Sequence, residues 1–178
     1  MVRDLKALAA KLRHAGFSIK TPRSHEMNTI YDLPGERLRR RGELLRLRKY
    51  GGTWTLTHKA RSSAGRHKSR QETESRIEDG GKLDGILRAL GFAPTFRYEK
   101  FRTEWSDGAG QVVVDETPIG NLAEIEGGAR WIDQTAKKLG VLRDSYITQT
   151  YAELFRDWKR HSGSGAKEMT FRGLGRKR

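Results

Sequence analysis

Leu5, Leu8, Ala9 and Leu12 recur at helical spacing behind Asp4 and ahead of Gly16, which predicts an amphipathic helix over residues 3–15. Leu83, Ile86, Leu87 and Leu90 before Gly91 predict a second over 83–90, and a third covers 129–139, closed by Gly140. A fourth runs from Asp144 or Ser145 to about Lys159, with Ile147, Tyr151, Leu154, Phe155 and Trp158 as its apolar stripe. Between these helices the period is two. Residues 25–33, 43–50, 53–59, 68–77, 95–106, 111–116 and 122–126 are predicted as strands. Tyr50-Gly51-Gly52-Thr53 and Asp107-Gly108-Ala109-Gly110 are turn sequences that join neighbours, so the sheet is mainly antiparallel and the fold class α+β.

Alternation splits each strand into two faces. Leu45 and Leu47 oppose Arg46 and Arg48; Trp54 and Leu56 oppose Thr53, Thr55, Thr57 and Lys59; Lys68, Arg70, Glu72, Glu74 and Arg76 share one side. Phe101 and Trp105 oppose Lys100, Arg102 and Glu104; Val112 and Val114 oppose Asp115; Ala123 and Ile125 oppose Glu124 and Glu126. A solvated face mixes Ser, Thr, Gln and Lys, whereas this one concentrates Arg and carboxylate. Beside the plain reading of a helix-backed sheet with one wet face stands a sharper one, a barrel whose apolar face carries the helices and whose charged face lines the lumen. Arg46, Arg48, Lys59, Arg70, Lys100 and Arg102 would then share that lumen with Glu72, Glu74, Asp115, Glu124 and Glu126. Such charges cost several kcal/mol each if buried unpaired, so the lumen requires a charged guest. A polyphosphate with Mg2+ or Mn2+ fits: guanidinium and ammonium groups hold phosphate, and carboxylates hold hard divalent ions.

Composition sharpens this. The net charge of +14 asks for an anionic partner. Residues 160–178 hold about +5 of it with no hydrophobic period, which predicts a domain over 1–159 and a disordered basic tail able to make weak nucleic-acid contacts. The absence of cysteine excludes disulfides, zinc-thiolate sites and thiol nucleophiles. No apolar run reaches a membrane span and residues 1–16 are no signal peptide, so a cytoplasmic protein is expected. Gly163-Ser164-Gly165-Ala166-Lys167 is not a phosphate-binding loop, and the five histidines show no metal spacing.

Six segments carry a resemblance: YDLPGERLRRRGELLRLRKY (31–50), TLTHK (55–59), HKSRQETE (67–74), RYEKFRTEW (97–105), VVVDETPIGNLAEIEG (113–127) and SYITQTYAELF (145–155). Together, in this order, they resemble the CYTH family of triphosphate tunnel metalloenzymes, which includes class IV adenylate cyclases and thiamine triphosphatases. The resemblance implies an eight-stranded antiparallel tunnel and a substrate such as ATP, thiamine triphosphate or inorganic triphosphate. It implies triphosphate binding by Arg46, Arg48, Lys59 and Arg102, metal binding by Glu72, Glu124 and Glu126, and Asp115 on the metal or its water. Lys100, Arg70 and Glu74 join these sets from the strand faces. Lys59 and Asp115 are the candidates for a catalytic role, Lys59 as general base or phosphate ligand. Cyclase and hydrolase chemistry both stay open.

One departure stands against the family pattern. The family opens with a strand bearing Glu-x-Glu-x-Lys, and residues 1–6 (MVRDLK) contain none. Either a start codon upstream supplies that strand, the favoured expectation, or the chain is a truncated form that binds without turnover. In that form an open sheet edge is expected. The rival reading is a non-catalytic polyphosphate or nucleic-acid binder, marked by salt-sensitive binding without metal.

Overall fold

A computed structural model describes residues 1–62, 70–142 and 145–176. Lys68, expected at the start of a strand, and His67, in one of the resembling segments, lie outside the described residues. The elements run α1 (Leu5–His14), β1 (Ser18–Asp32), α2 (Arg37–Arg40), β2 (Leu44–Tyr50), β3 (Thr53–Lys59), β4 (Glu72–Ile77), α3 (Gly80–Ala89), β5 (Ala93–Ser106), β6 (Gln111–Thr117), β7 (Gly120–Glu126), α4 (Ala129–Lys138) and α5 (Tyr151–Ser162). The strands form one hydrogen-bonded sheet in the order β4-β3-β2-β1-β5-β6-β7. The β1–β2, β2–β3, β3–β4, β5–β6 and β6–β7 ladders are antiparallel. The fold is therefore α+β with a mainly antiparallel sheet, as the alternation predicts. Seven strands take part where eight were implied, and among the described residues no ladder joins β4 to β7. Among the described residues no helix is long and apolar enough to cross a membrane.

The chain divides into two compact units, with β1 and β5 contributing to both. The first comprises Met1–His25 and Lys100–Ser164. On its apolar face Leu12, Phe17, Trp105, Val112 and Leu139 form a buried core, joined by Leu8, Ala9, Val114, Ile125 and Trp131, so α1 and α4 cover the β5–β7 strands as their periodicity requires. The Asp4 carboxylate caps α1 by accepting from Ala7 N at 2.9 Å. Val2 N donates to Asn121 O at 2.8 Å, bridging the amino-terminal residues to β7.

The second unit comprises Glu26–Glu99 and, at the other end of the chain, a segment that begins at Gly165 and includes Met169 and Phe171. Tyr31, Leu47 and Leu87 form its core with Leu45, Trp54, Leu56, Leu83 and Phe92, placing α3 on the apolar face of β2 and β3. Gly80, the first residue of α3, lies so close to Trp54 that a Cβ there would sit 2.3 Å from the indole, so only glycine admits this approach. The buried Asp32 carboxylate accepts from Leu38 N at 2.8 Å and Arg39 N at 3.0 Å, which fixes the short α2 that periodicity did not reveal.

Three differences from expectation exceed a few residues at an element's end. β1 begins at Ser18 rather than residue 25. α5 begins only at Tyr151: Thr150 and Glu153 form a reciprocal capping box there, and residues 145–150 lie outside the helix. The tail, expected to be disordered, packs in its described part. Met169 is fully buried and bridges to Tyr98, with Glu99 N donating to Met169 O at 3.0 Å and Met169 N to Arg97 O at 2.9 Å. Phe171 is buried as well, and its N–H donates to Glu99 Oε1 at 2.7 Å. Met169 gains a pair of backbone bonds and Phe171 a bond to a carboxylate here, two apolar residues spaced by two, a pattern too short to register as a period.

Candidate functional site

In the second unit, antiparallel register places Arg46 opposite Thr57 and Arg48 opposite Thr55 across β2–β3, then Thr57 opposite Glu74 and Lys59 opposite Glu72 across β3–β4. Paired residues share a face, so Arg46, Arg48, Lys59, Glu72 and Glu74 converge as the alternation predicts. Glu74 accepts from Thr57 Oγ1 at 2.8 Å and from Arg48 Nη2 at 3.4 Å, and lies 4.0 Å from Arg46 Nη2. Glu72 accepts from Lys59 Nζ at 2.6 Å and sits 3.6 Å from Arg70 Nε. Four cations thus share two carboxylates, and the buried Nε atoms of Arg46 and Arg48 have no hydrogen-bond partner. Burial and the Arg46 charge push Lys59 below the ordinary lysine range against the pull of Glu72. Burial works against the Glu72 carboxylate, but Lys59, Arg70 and Arg46 outweigh it and hold Glu72 below its usual value. The cluster is a positive surface whose two acids are occupied by cations.

Strand β1 adds polar groups that alternation did not single out. Glu26 and Asn28 are fully buried, Asn28 Nδ2 donates to Glu26 Oε1 at 2.9 Å, and Asn28 stands opposite Arg48 in the β1–β2 ladder.

In the first unit Arg102 faces Asp115 across β5–β6. Arg102 donates to both Asp115 oxygens, Nε to Oδ1 at 2.8 Å and Nη2 to Oδ2 at 2.7 Å, and its Nη2 also reaches Glu124 Oε2 at 3.2 Å. Lys100 Nζ donates to Asp115 Oδ2 at 2.9 Å, both side chains being buried. Burial alone would raise the Asp115 carboxyl; the bonds and charges of Arg102 and Lys100, with Tyr151, reverse the sign and hold it at about 2. Glu126 moves the other way. Crowding of its carboxyl end by protein atoms and the neighbouring Glu124 charge push it up.

Tyr151, counted in the sequence as part of an apolar stripe, instead sends its hydroxyl into this centre. It lies 2.5 Å from Asp115 Oδ2 and 2.8 Å from Glu124 Oε1, with Lys100 Nζ 4.6 Å over its ring. The available signal was the Thr150-x-x-Glu153 box, which starts a helix at Tyr151 and so takes this residue out of the middle of one.

The expected metal set does not assemble as a whole: among the described residues no three His, Cys, Asp or Glu side chains converge at ligand geometry. Asp115, Glu72 and Glu74 each already hold cationic side chains. Glu124 and Glu126 stand two residues apart on one face of β7, so two carboxylates of the kind that hold a divalent ion lie side by side there, Glu124 keeping a bond to Arg102 at 3.2 Å.

The CYTH domain family matches residues 2–151. A protein of Methanocaldococcus jannaschii named "Putative adenylate cyclase MJ0240" is 26% identical over 162 residues, 85% of this chain and 92% of its own length. Among solved structures, one from Vibrio parahaemolyticus described as a putative adenylate cyclase superposes with a TM-score of 0.75 at 17% identity, covering 87% of this chain and 93% of that one. A Hippeastrum protein described as a putative adenylyl cyclase with a dominant triphosphatase activity superposes at 0.64 with 16% identity, covering 88% and 92%. The chain belongs to the CYTH domain family.

Proposed function

We propose that this chain is an enzyme that binds a triphosphate compound with a divalent cation and either cyclises ATP, as the names of its relatives suggest, or hydrolyses a triphosphate, as described for the Hippeastrum protein. The observation that carries this reading is the second unit's imbalance, four part-buried cations on two carboxylates with two unpaired guanidinium nitrogens. A polyphosphate supplies the missing acceptors, and bidentate guanidinium bonds to its oxygens replace the long 3.4 Å contacts to Glu74. Arg46, Arg48, Lys59 and Arg70 take phosphate oxygens and neutralise charge that develops on the leaving group. Lys59 serves there in its charged form as a phosphate ligand; the alternative role, acceptor of the proton from the attacking hydroxyl or water, requires its neutral form, which its lowered pKa makes easier to reach.

In the first unit Glu124 and Glu126 are proposed to hold Mg2+ or Mn2+, which when bound would offset phosphate charge. Asp115 is proposed to orient Arg102 and Lys100 as phosphate-binding cations. The test measures phosphate, pyrophosphate and cyclic AMP released from ATP and from inorganic triphosphate, with Mg2+, with Mn2+ and with chelator. Metal-dependent product is expected. Salt-sensitive binding to nucleic acid with no turnover of either compound would overturn the proposal.

A further inference from the structure

The Tyr151 hydroxyl has one proton and two carboxylate neighbours, Asp115 Oδ2 at 2.5 Å and Glu124 Oε1 at 2.8 Å. Asp115 is already supplied with donors by Arg102 and Lys100, at 2.7–2.9 Å. Glu124 is held through its other oxygen by Arg102 at 3.2 Å and keeps over a third of its side chain exposed (37%). One carboxylate is a buried anchor and the other a half-open arm, with the single Tyr151 proton shared between them.

Tyr151 is also placed with unusual definition for a group at a helix start. It is the first residue of α5, and the turn beneath it is locked by Thr150 N donating to Glu153 Oε2 at 2.7 Å and Glu153 N to Thr150 Oγ1 at 3.3 Å. Its ring is held under Lys100, which is itself bonded to Asp115. Backbone cap, ring contact and hydroxyl bonds fix three separate parts of one residue.

We propose that Tyr151 is a positioning residue that holds the Glu124 carboxylate, from α5, in the orientation in which it and Glu126 bind a divalent cation. The inference rests on the reading of Glu124 and Glu126 as cation ligands. A glutamate carboxylate, carried on three rotatable bonds, samples many orientations, and each fixed one removes a cost from cation binding. Tyr151 constrains Oε1 and Arg102 constrains Oε2, while each oxygen keeps a second lone pair for the ion. The inference also gives α5 a role that helix packing alone does not: it carries a hydroxyl to the charged face of β6 and β7.

The test is Mn2+ binding to the full chain, read as loss of the free-ion electron paramagnetic resonance signal, which needs no turnover. Tyr151→Phe removes only the hydroxyl and keeps the ring under Lys100. Affinity is expected to fall about tenfold or more, the usual scale for removing a group that orients a ligand. Glu124→Gln is expected to weaken binding further, and the double variant to match Glu124→Gln alone, because Tyr151 acts through Glu124. Should Y151F fail to fold, Glu153→Ala, which loosens the cap under Tyr151, is expected to show a smaller loss in the same direction. Wild-type affinity in Y151F, or in E153A where that variant is used, would overturn the inference alone. Losses in the double variant that simply add would do the same. Wild-type protein that binds Mn2+ no better than Glu124→Gln would overturn the cation-site reading and the inference together.

Discussion

Arg102 and Asp115 stand opposite one another in the β5–β6 ladder and meet through two nearly parallel bonds, 2.8 and 2.7 Å long. Asp115 has no solvent exposure and Arg102 retains 11% of its side-chain surface. A fork so placed fixes a guanidinium plane, which a lysine could not reproduce. It also explains why Asp115, expected among metal-associated acids, acts here as an internal counter-ion: its two oxygens already accept from Arg102, Lys100 and Tyr151.

Asp115→Asn is expected to destabilise the chain by roughly 3–5 kcal/mol, because removing one partner leaves Lys100 and Arg102 buried without their counter-charge. Urea unfolding followed by circular dichroism measures this. An unchanged midpoint would mean that the two cations find other partners.

Acid should act on the same group. The folded-state pKa of Asp115 lies at about 2, below its ordinary 3.8, so its stabilisation is present above the ordinary value and is lost as pH falls through about 2. That difference corresponds to about 2 kcal/mol. Stability measured between pH 5 and 2 should fall less steeply in Asp115→Asn than in the wild type.

Glu74→Gln separates two roles for this acid. As a competitor for Arg46 and Arg48, which its geometry favours, its removal should tighten inorganic triphosphate binding in calorimetry, whereas Arg46→Gln and Arg48→Gln should each weaken it about tenfold, on the scale of one charge-assisted bond. Weaker triphosphate binding together with a lost metal requirement in Glu74→Gln would restore it to the metal ligands.

Lys59 should set an alkaline limb. Its pKa is lowered, so it sheds its proton at lower pH than an ordinary lysine, and triphosphate affinity should decline with rising pH below the usual lysine range. Lys59→Arg should move that limb upward, and an affinity profile indifferent to this substitution would remove Lys59 from the phosphate contacts.

Met169→Ala should cost about 2–4 kcal/mol, within the range for emptying a fully buried methionine site. Deletion of residues 165–178 should lower the melting temperature as well. A chain whose stability ignores both changes would return the segment to the disordered tail that its composition suggests.

Much of the site was legible because a strand's period of two is a rigid rule. Once Leu45 and Leu47 are inside, Arg46 and Arg48 must share the opposite face, and the same holds for Glu124 and Glu126 against Ala123 and Ile125. Tyr151, Glu26 and Asn28 escaped. A buried polar residue is identified by its partners and its burial: those of Tyr151 lie 27 and 36 residues away, and Glu26 and Asn28, which bond each other two residues apart, are buried by ladder neighbours that no local pattern specifies. The tail escaped for the same reason: Met169 and Phe171 are apolar punctuation in a basic segment until Arg97 and Glu99 supply their backbone bonds.

The sequence alone determined the element types, the face on which each charge lies and the excess of cations that asks for a phosphate-rich partner, since each follows from local periodicity or from counting. Tertiary structure decided which acid meets which base. It gave Asp115 to Arg102 and Lys100, let Arg102 reach Glu124 as well, and brought the Tyr151 hydroxyl to both Asp115 and Glu124. A charge's role depends on its neighbours within a few ångströms, and those neighbours are chosen by register and helix docking rather than by position along the chain.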